Sequence, residues 1–173
     1  MNQDELYMKI ALEEAKIALD EDNLPIGAAL IIGDRLIDKS RNQNRTNKCW
    51  SDHAENSLII NNSKFIKKAI KEEGLEVSLY TTMEPCLMCL GTIALHRISN
   101  LIYACPDPIS GAARINLNSI GAIYQSNFPN IKQGYFTKES YELFIDFLSR
   151  HQNCIEMLKR YKSFREDILK NSV

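Results

Sequence analysis

A strand, a helix and a second strand follow one another between residues 76 and 105, and this order constrains the fold more than any other feature. EVSLYTT and NLIYAC are short segments with the apolar character of strands, and PCLMCLGTIALHR between them has helical periodicity. Two strands joined by a helix pair in parallel, and the helix packs on their sheet. The sequence therefore predicts an α/β fold whose sheet is at least partly parallel.

The other segments extend this pattern, and no linker composition divides the chain, so we expect a single domain over residues 1–173. They are predicted as an amphipathic helix ending near Asn23, a hairpin of AALIIG and RLIDKS, a helix from His53 to about Ile70, a strand at IKQGY, and helices over 138–150 and 152–169.

Composition excludes several classes of protein. Hydrophobic residues make up 45% and charged residues 25%, which are ordinary globular values, and no apolar run approaches the roughly 18 residues of a membrane span. The amino end lacks the basic and then apolar order of a secretory signal. Five cysteines, an odd number, argue against a disulfide framework and for a reducing compartment. We therefore expect a cytoplasmic protein.

Cys86 and Cys89, three positions apart after Pro85, are compatible with a redox couple, half of a metal site, or two small core residues. A third soft ligand, His53, opens the preceding predicted helix. Both motifs lie where a strand or loop enters a helix, and consecutive right-handed crossovers start their helices at one sheet edge. We therefore predict a zinc site with one open, catalytic position.

Glu55 lies two residues after His53, at a first helical turn where both side chains can enter one cavity. A carboxylate beside a zinc-activated water can take its proton and deliver it elsewhere. The alternative is a closed structural site, because Cys49, four residues before His53, completes a set of three cysteines and one histidine. In a closed structural site, Glu55 would have no catalytic role.

HAE followed by PCLMC resembles the zinc-dependent nucleobase deaminases of cytidine deaminase-like fold. Within that superfamily the chain is similar to bacterial tRNA adenosine deaminases along LPIGAALII, HAE, YTTMEPCLMC, the SGAA loop and the final helices. The resemblance implies a Zn²⁺ cofactor held by His53, Cys86 and Cys89, and Glu55 as the general acid and base of hydrolytic deamination. Adenosine in tRNA, converted to inosine, is the favoured substrate.

The resemblance also implies a three-layer α/β/α sandwich with a mixed, about five-stranded sheet, and a homodimer that completes the pocket. Asn42, eleven residues before His53, corresponds to an asparagine that binds the base or its glycosidic side. Asp107, in CPDPISGAA, matches an acid that contacts the sugar. A turn-forming role is the alternative for both residues.

Some residues depart from the tRNA enzymes and keep other functions open. Cys105 and Pro106 stand where those enzymes often carry a basic residue, and the last helix lacks their dense arginine cluster, which weakens phosphate binding. A deaminase of a free base or nucleoside and a non-catalytic zinc-stabilised module are therefore the alternatives. Ahead of His53, Trp50 is expected either to stack on a base or to pack, and Asp52 to cap the helix rather than to contact the substrate.

Overall fold

The structure is a computed structural model that describes residues 2–170, so the predicted domain of 1–173 extends past the described residues at both ends. Five strands of the described chain form one sheet: β1 (Gly27–Ile32), β2 (Arg35–Arg41), β3 (Val77–Met83), β4 (Asn100–Cys105) and β5 (Asn130–Gln133). Their order across the sheet is β2-β1-β3-β4-β5. Strand β1 is antiparallel to β2 and β3, whereas β3, β4 and β5 run parallel. The predicted mixed sheet is confirmed.

The helices follow the predicted order with three differences, of which the first is a short helix at Ala122–Ser126 that the sequence analysis does not predict. They are α1 (Gln3–Asp20), α2 (Ala54–Asn61), α3 (Ser63–Lys68), α4 (Leu87–Leu95), α5 (Ala122–Ser126), α6 (Thr137–Arg150), α7 (Ile155–Ser163) and α8 (Arg165–Leu169). The helix expected from His53 to Ile70 is interrupted at Asn62, whose side-chain amide donates to the carbonyl of Leu58 and competes with the regular backbone pattern. The helix expected over 152–169 is interrupted at Phe164, where the backbone tightens into mixed helical hydrogen bonds.

Both faces of the sheet are covered by helices, as strand β1 illustrates. All six residues of β1 are buried, and successive side chains point to opposite faces. Ala28 and Leu30 belong to the core that includes residues of α2 and α4, whereas Ala29 and Ile31 pack with residues of α1. The predicted three-layer α/β/α sandwich is therefore confirmed.

The parallel pairing of β3 and β4 positions the functional residues. Met83 at the end of β3 pairs with Cys105 at the end of β4, so the segments that follow these strands are neighbours. The amide of Glu84 donates to the carbonyl of Cys105 at 2.7 Å and continues this contact. Ligand sites of open α/β sheets occur at such carboxyl ends. Within residues 2–170, no helix combines the length and apolarity that a bilayer crossing requires.

Candidate active site

Two helix starts bring the predicted metal ligands together. His53 is the N-cap of α2 and Cys86 the N-cap of α4, each in an extended conformation that turns its side chain out of the helix. Cys89 follows Cys86 by one helical turn, so the two thiols share a face. Nδ1 of His53 lies 3.6 Å from the sulfur of Cys86 and 3.5 Å from that of Cys89.

This donor set fits zinc. The three ligand atoms all lie within 4.8 Å of one another. Zinc bonds of about 2.3 Å to sulfur and about 2.0 Å to nitrogen, at tetrahedral angles, separate nitrogen from sulfur by roughly 3.5 Å. The distances from His53 to the two sulfurs match that separation. The chain therefore holds three of the four positions of a tetrahedral zinc site.

Cys49 does not complete the site. Among the described residues, the group that can hold a metal comprises His53, Cys86 and Cys89. The thiol of Cys49 is exposed and lies 3.3 Å from the hydroxyl of Ser51. The closed structural site with a fourth protein ligand is therefore not formed.

The thiols of Cys86 and Cys89 differ in acidity. The hydrogen bond from Cys89, and then the contact with His53, lowers the pKa of Cys86 to about 4. The same contact with Cys86, together with burial, raises the pKa of Cys89. One thiolate therefore forms readily and stabilises its neighbour as a thiol. A bound dication favours the thiolate form of both, because a coordinating thiol is deprotonated.

Glu55 is buried beside this cluster, with 3% of its surface exposed. Its Oε1 accepts a hydrogen bond of 3.2 Å from the hydroxyl of Thr81, and its Oε2 accepts from the thiol of Cys89 at 3.7 Å. Burial is the main cause that raises the pKa of the Glu55 carboxyl. Glu55, His53 and Cys86 all line one cavity, so the acid and two of the three metal ligands meet in the same space.

That cavity has a volume of about 390 Å³, within the range of small-molecule sites. Helix α6 contributes Phe144, Phe147 and Leu148, and α7 contributes Met157 and Tyr161. The polar residues of the wall include Asn44, Arg45, Ser110 and Asn153. Sequence reasoning did not assign these residues, because helical periodicity alone does not reveal which core residues border a cavity.

The two predicted substrate residues lie in different surroundings. Asn42 is fully buried, its Oδ1 accepts from the amide of Asn44 at 3.2 Å, and its Nδ2 has no hydrogen-bond partner among the described residues. Asn44, rather than Asn42, lies on the cavity wall. Asp107 does line the cavity, and its carboxylate accepts from the amides of Ile109 and Ser110 at 2.9 and 3.0 Å. The turn-forming interaction of Asp107 is therefore present.

Glu84 is a further residue that sequence reasoning did not assign. Its Oε2 accepts from the amide of Asp107 and its Oε1 from the amide of Ala113, each at 3.0 Å. Cys86 and Gly111 form an isolated antiparallel bridge beside these bonds. Glu84 therefore fastens the loop after β4 to the segment that carries a metal ligand. The signal in the sequence is an acid placed directly before the PC motif.

Trp50 and Asp52, which precede His53, differ from two of the roles expected for them. Trp50 is 94% exposed, so it does not pack in the interior. The predicted capping role of Asp52 is wrong, because His53 is the N-cap and has no side-chain cap hydrogen bond. The Asp52 carboxylate instead accepts hydrogen bonds from the side chains of Asn47 and Ser57.

The chain is similar to known deaminases. The family profile described as the cytidine and deoxycytidylate deaminase zinc-binding region matches residues 1–105. The tRNA-specific adenosine deaminase of Bacillus subtilis strain 168 is 37% identical over 118 residues, which cover 68% of this chain and 71% of that protein. The tRNA-specific adenosine deaminase of Agrobacterium fabrum strain C58 is 33% identical over 142 residues, or 82% of this chain and 91% of that one.

A solved structure described within studies of A-to-I editing by tRNA:A34 deaminases at the wobble position of transfer RNA has a TM-score of 0.61 and 33% identity. It covers 75% of this chain and 97% of its own chain. The matched family region contains His53, Glu55, Cys86 and Cys89. The chain therefore belongs to the cytidine and deoxycytidylate deaminase zinc-binding family and is a zinc-dependent hydrolytic deaminase.

Proposed function

We propose that this deaminase acts on adenosine within tRNA and converts it to inosine. The observation that carries the proposal is the similarity to relatives named tRNA-specific adenosine deaminases, at 37% and 33% identity over 68% and 82% of the chain. The cavity beside Glu55 supports it, because its volume of about 390 Å³ accommodates a nucleobase that has been turned out of a loop.

In the proposed reaction, Glu55 is the general base and then the general acid. Bound zinc, held by His53, Cys86 and Cys89, supplies a Lewis acid that lowers the pKa of water toward neutrality. Glu55 takes a proton from the attacking water and passes it to the ring nitrogen, while the water oxygen bonds to the carbon that bears the amine. Glu55 then takes the remaining proton from the new hydroxyl group and passes it to the amine. The hydroxyl oxygen becomes a carbonyl oxygen as the carbon–nitrogen bond breaks, and ammonia leaves.

The burial of Glu55 supports both halves of this cycle. Burial raises the pKa of its carboxyl, which makes the carboxylate a stronger base for the first half and the protonated form easier to reach for the second half. The hydrogen bond from Thr81 holds Oε1, which limits the rotation of the carboxylate. The carboxyl is therefore oriented for proton transfer before a substrate binds.

We assign Asn42 and Asp107 to the binding of the substrate. Asn42 is not itself on the cavity wall, but it is hydrogen-bonded to Asn44, which is. Its Nδ2 group is a buried donor without a partner in the described chain, and a ring nitrogen or carbonyl of a base that reaches it would satisfy this donor. The Oδ2 atom of Asp107 accepts a hydrogen bond from the Ser110 hydroxyl and retains capacity for a sugar hydroxyl. Replacement of Asn42 by Leu is expected to raise KM about tenfold, since it removes a hydrogen bond of ordinary strength.

A small-molecule substrate is the second candidate, favoured by the charge at the cavity. Arg45, which lines the wall, is already paired with Asp22 at 2.9 Å, and its guanidinium lies 5.6 Å from the ring centre of Phe147. A cation engaged in this way contributes less to phosphate binding, which normally dominates affinity for nucleic acids. A free base or a nucleoside requires no phosphate contact.

Ammonia release across a panel of free bases, nucleosides and one tRNA anticodon stem-loop separates these substrates. For tRNA we expect deamination of the stem-loop with a kcat/KM that falls steeply between about 50 and 200 mM salt. Release from guanine, cytosine or a nucleoside with little dependence on salt would instead establish the second candidate. Absence of ammonia from the whole panel, with zinc bound, would contradict both.

We further propose that the chain forms a homodimer, folds as one domain over 1–173, and functions in the cytoplasm. Support for the dimer comes from an apolar surface beside α4, where Leu87, Leu95 and Ile123 are 60%, 51% and 56% exposed. A cavity of about 390 Å³ lined by Leu87, Leu95 and Tyr124 adjoins it. An apolar patch of this kind marks an interaction surface. A reducing compartment is supported by all five cysteines being free.

A further inference from the structure

Helix α7 reaches from the C-terminal part of the chain to the loop that follows β4. Tyr161, on this helix, is 2% exposed, and its hydroxyl donates a hydrogen bond of 2.5 Å to Oδ1 of Asp107. Both residues line the cavity that contains His53 and Glu55. The two partners are 54 residues apart in the sequence, so only the packing of α7 brings them together.

Asp107 is the centre of its loop. The same Oδ1 atom accepts from the amides of Ile109 and Ser110, at 2.9 and 3.0 Å, which folds the chain back toward the cavity. The carbonyl of Asp107 accepts from the amide of Gly111 at 3.1 Å, and Gly111 forms the bridge with the metal ligand Cys86. A displacement of Asp107 would therefore change both the mouth of the cavity and the surroundings of the zinc site.

The phenol of Tyr161 is itself rigidly held. The ring of Tyr161 packs against Phe144 with a centroid distance of 4.8 Å. The main-chain carbonyl of Tyr161 accepts a hydrogen bond from the hydroxyl of Tyr141 at 3.5 Å. Tyr161, Phe144 and Tyr141 belong to one buried cluster. A fixed donor that binds a carboxylate gives a strong hydrogen bond, because one partner is ionised.

We propose that Tyr161 is a positioning residue for the substrate. Its hydroxyl fixes Oδ1 of Asp107, which holds the loop of residues 106–111 in place and aims Oδ2 at a hydroxyl group of the substrate sugar. This inference rests on the proposed function, because it takes the cavity as the site of the nucleoside. A substrate without a sugar would gain little from the arrangement.

The test compares Tyr161→Phe with Tyr80→Phe in the zinc-loaded protein. Each substitution removes, from a buried ring, a hydroxyl that donates to a carboxylate, but Tyr80 on β3 donates to Asp4 at 2.6 Å and lies outside the cavity wall. For Tyr161→Phe we expect KM for the nucleoside-containing substrate to rise about tenfold with kcat within about twofold, since a hydrogen bond to a charged group is lost. Zinc content should not change. Tyr80→Phe should leave KM unchanged.

Hydrogen exchange gives a readout that needs no substrate. The amides of Ile109 and Ser110 should exchange several-fold faster in Tyr161→Phe than in Tyr80→Phe, because their acceptor is less firmly held. Equal exchange, or an equal KM, in the two variants would overturn the proposal. If the wild type deaminates nothing in the panel, the proposed function fails, while the exchange comparison still decides the role of Tyr161.

A double-mutant cycle tests whether Tyr161 acts through Asp107. Asp107→Asn keeps the size of the side chain but removes its charge. If the two residues act as a unit, Tyr161→Phe should add less than twofold to the KM of Asp107→Asn, although it raises the KM of the wild type about tenfold. Independent, additive effects would overturn the assignment.

Discussion

The hydroxyl of Thr81 on β3 donates a 3.2 Å hydrogen bond to Oε1 of Glu55 on α2, and both side chains are buried. A central strand of the sheet thereby orients an acid that belongs to the first turn of a helix. Because Oε1 is held by the strand, the second oxygen is left beside Cys89 and the cavity. The rigidity of the sheet is therefore transmitted to the group that is proposed to move protons.

Replacement of Glu55 by Gln should abolish turnover while zinc remains bound. The amide keeps the shape of the side chain but carries no transferable proton, and loss of general acid–base catalysis lowers kcat by about 10²–10⁴. Glu14→Gln is the control, since Glu14 is equally buried but pairs with Lys39 and Arg41 away from the cavity. We expect that control to lower the melting temperature and to keep kcat. A Glu55→Gln enzyme within tenfold of wild type would refute the role of Glu55.

Replacement of Thr81 by Val should lower kcat about tenfold and leave KM near its wild-type value, because a hydrogen bond that orients Glu55 is lost. Thr82→Val is a matched control. Thr82 is also buried, but its hydroxyl accepts from the amide of Gly27 at 3.1 Å and does not contact Glu55. The control should lose stability and retain kcat. Equal kcat values in the two variants would argue against orientation by the strand.

Replacement of Cys89 by Ser should remove zinc, whereas Cys49→Ser should keep it. Cys89 is a member of the ligand group, and Cys49 is exposed and outside it. Zinc analysis of the purified variants should give a ratio near one per chain for Cys49→Ser and near zero for Cys89→Ser. A chelator should lower the melting temperature of wild type, since metal binding stabilises the folded state. Loss of zinc from Cys49→Ser would instead indicate a four-ligand structural site.

Replacement of Gly111 by Ala should destabilise the protein by about 1–3 kcal/mol, the usual range for overpacking. A Cβ atom at this position would lie 2.4 Å from Cδ of Glu84 and 2.5 Å from the carbonyl oxygen of Asp107. Gly91→Ala is the control, because its Cβ would meet only the ring of Tyr124, at 3.9 Å. In α4 it should stabilise by about 0.5–1 kcal/mol. Urea unfolding measures both, and an unchanged stability of Gly111→Ala would contradict the tight packing of the loop.

Replacement of Leu95 by Glu should convert the proposed dimer to a monomer, because a charge would have to be buried in the apolar surface beside α4. Sedimentation should give twice the chain mass of 19.8 kDa for wild type and a single mass for the variant. Leu6→Glu on α1 is the control, since Leu6 is 46% exposed and Leu95 51%. A wild type that sediments as a monomer would refute the dimer.

Local sequence was sufficient to predict the metal centre. His53 and the pair of Cys86 and Cys89 stand at helix starts, and the order of strands and helices places such starts at one sheet edge. Because these rules depend on neighbours in the sequence and on the handedness of crossovers, the partly parallel α/β fold and the zinc ligands followed from the residues themselves. The three-layer α/β/α sandwich followed from the resemblance to the deaminases. The position of Glu55 followed from the same helix start.

Tertiary packing decided the rest. The hydrogen bonds from Thr81 to Glu55 and from Tyr161 to Asp107 join residues 26 and 54 positions apart. No local pattern predicts such contacts, because they depend on the angles at which helices pack on the sheet and on the path of the loop after β4. The exclusion of Cys49 from the ligand group has the same origin, since the loop that carries it directs the thiol to solvent. The spacing of residues in the sequence identified the candidate metal ligands, and the distances between their atoms in the structure showed which of them form the site.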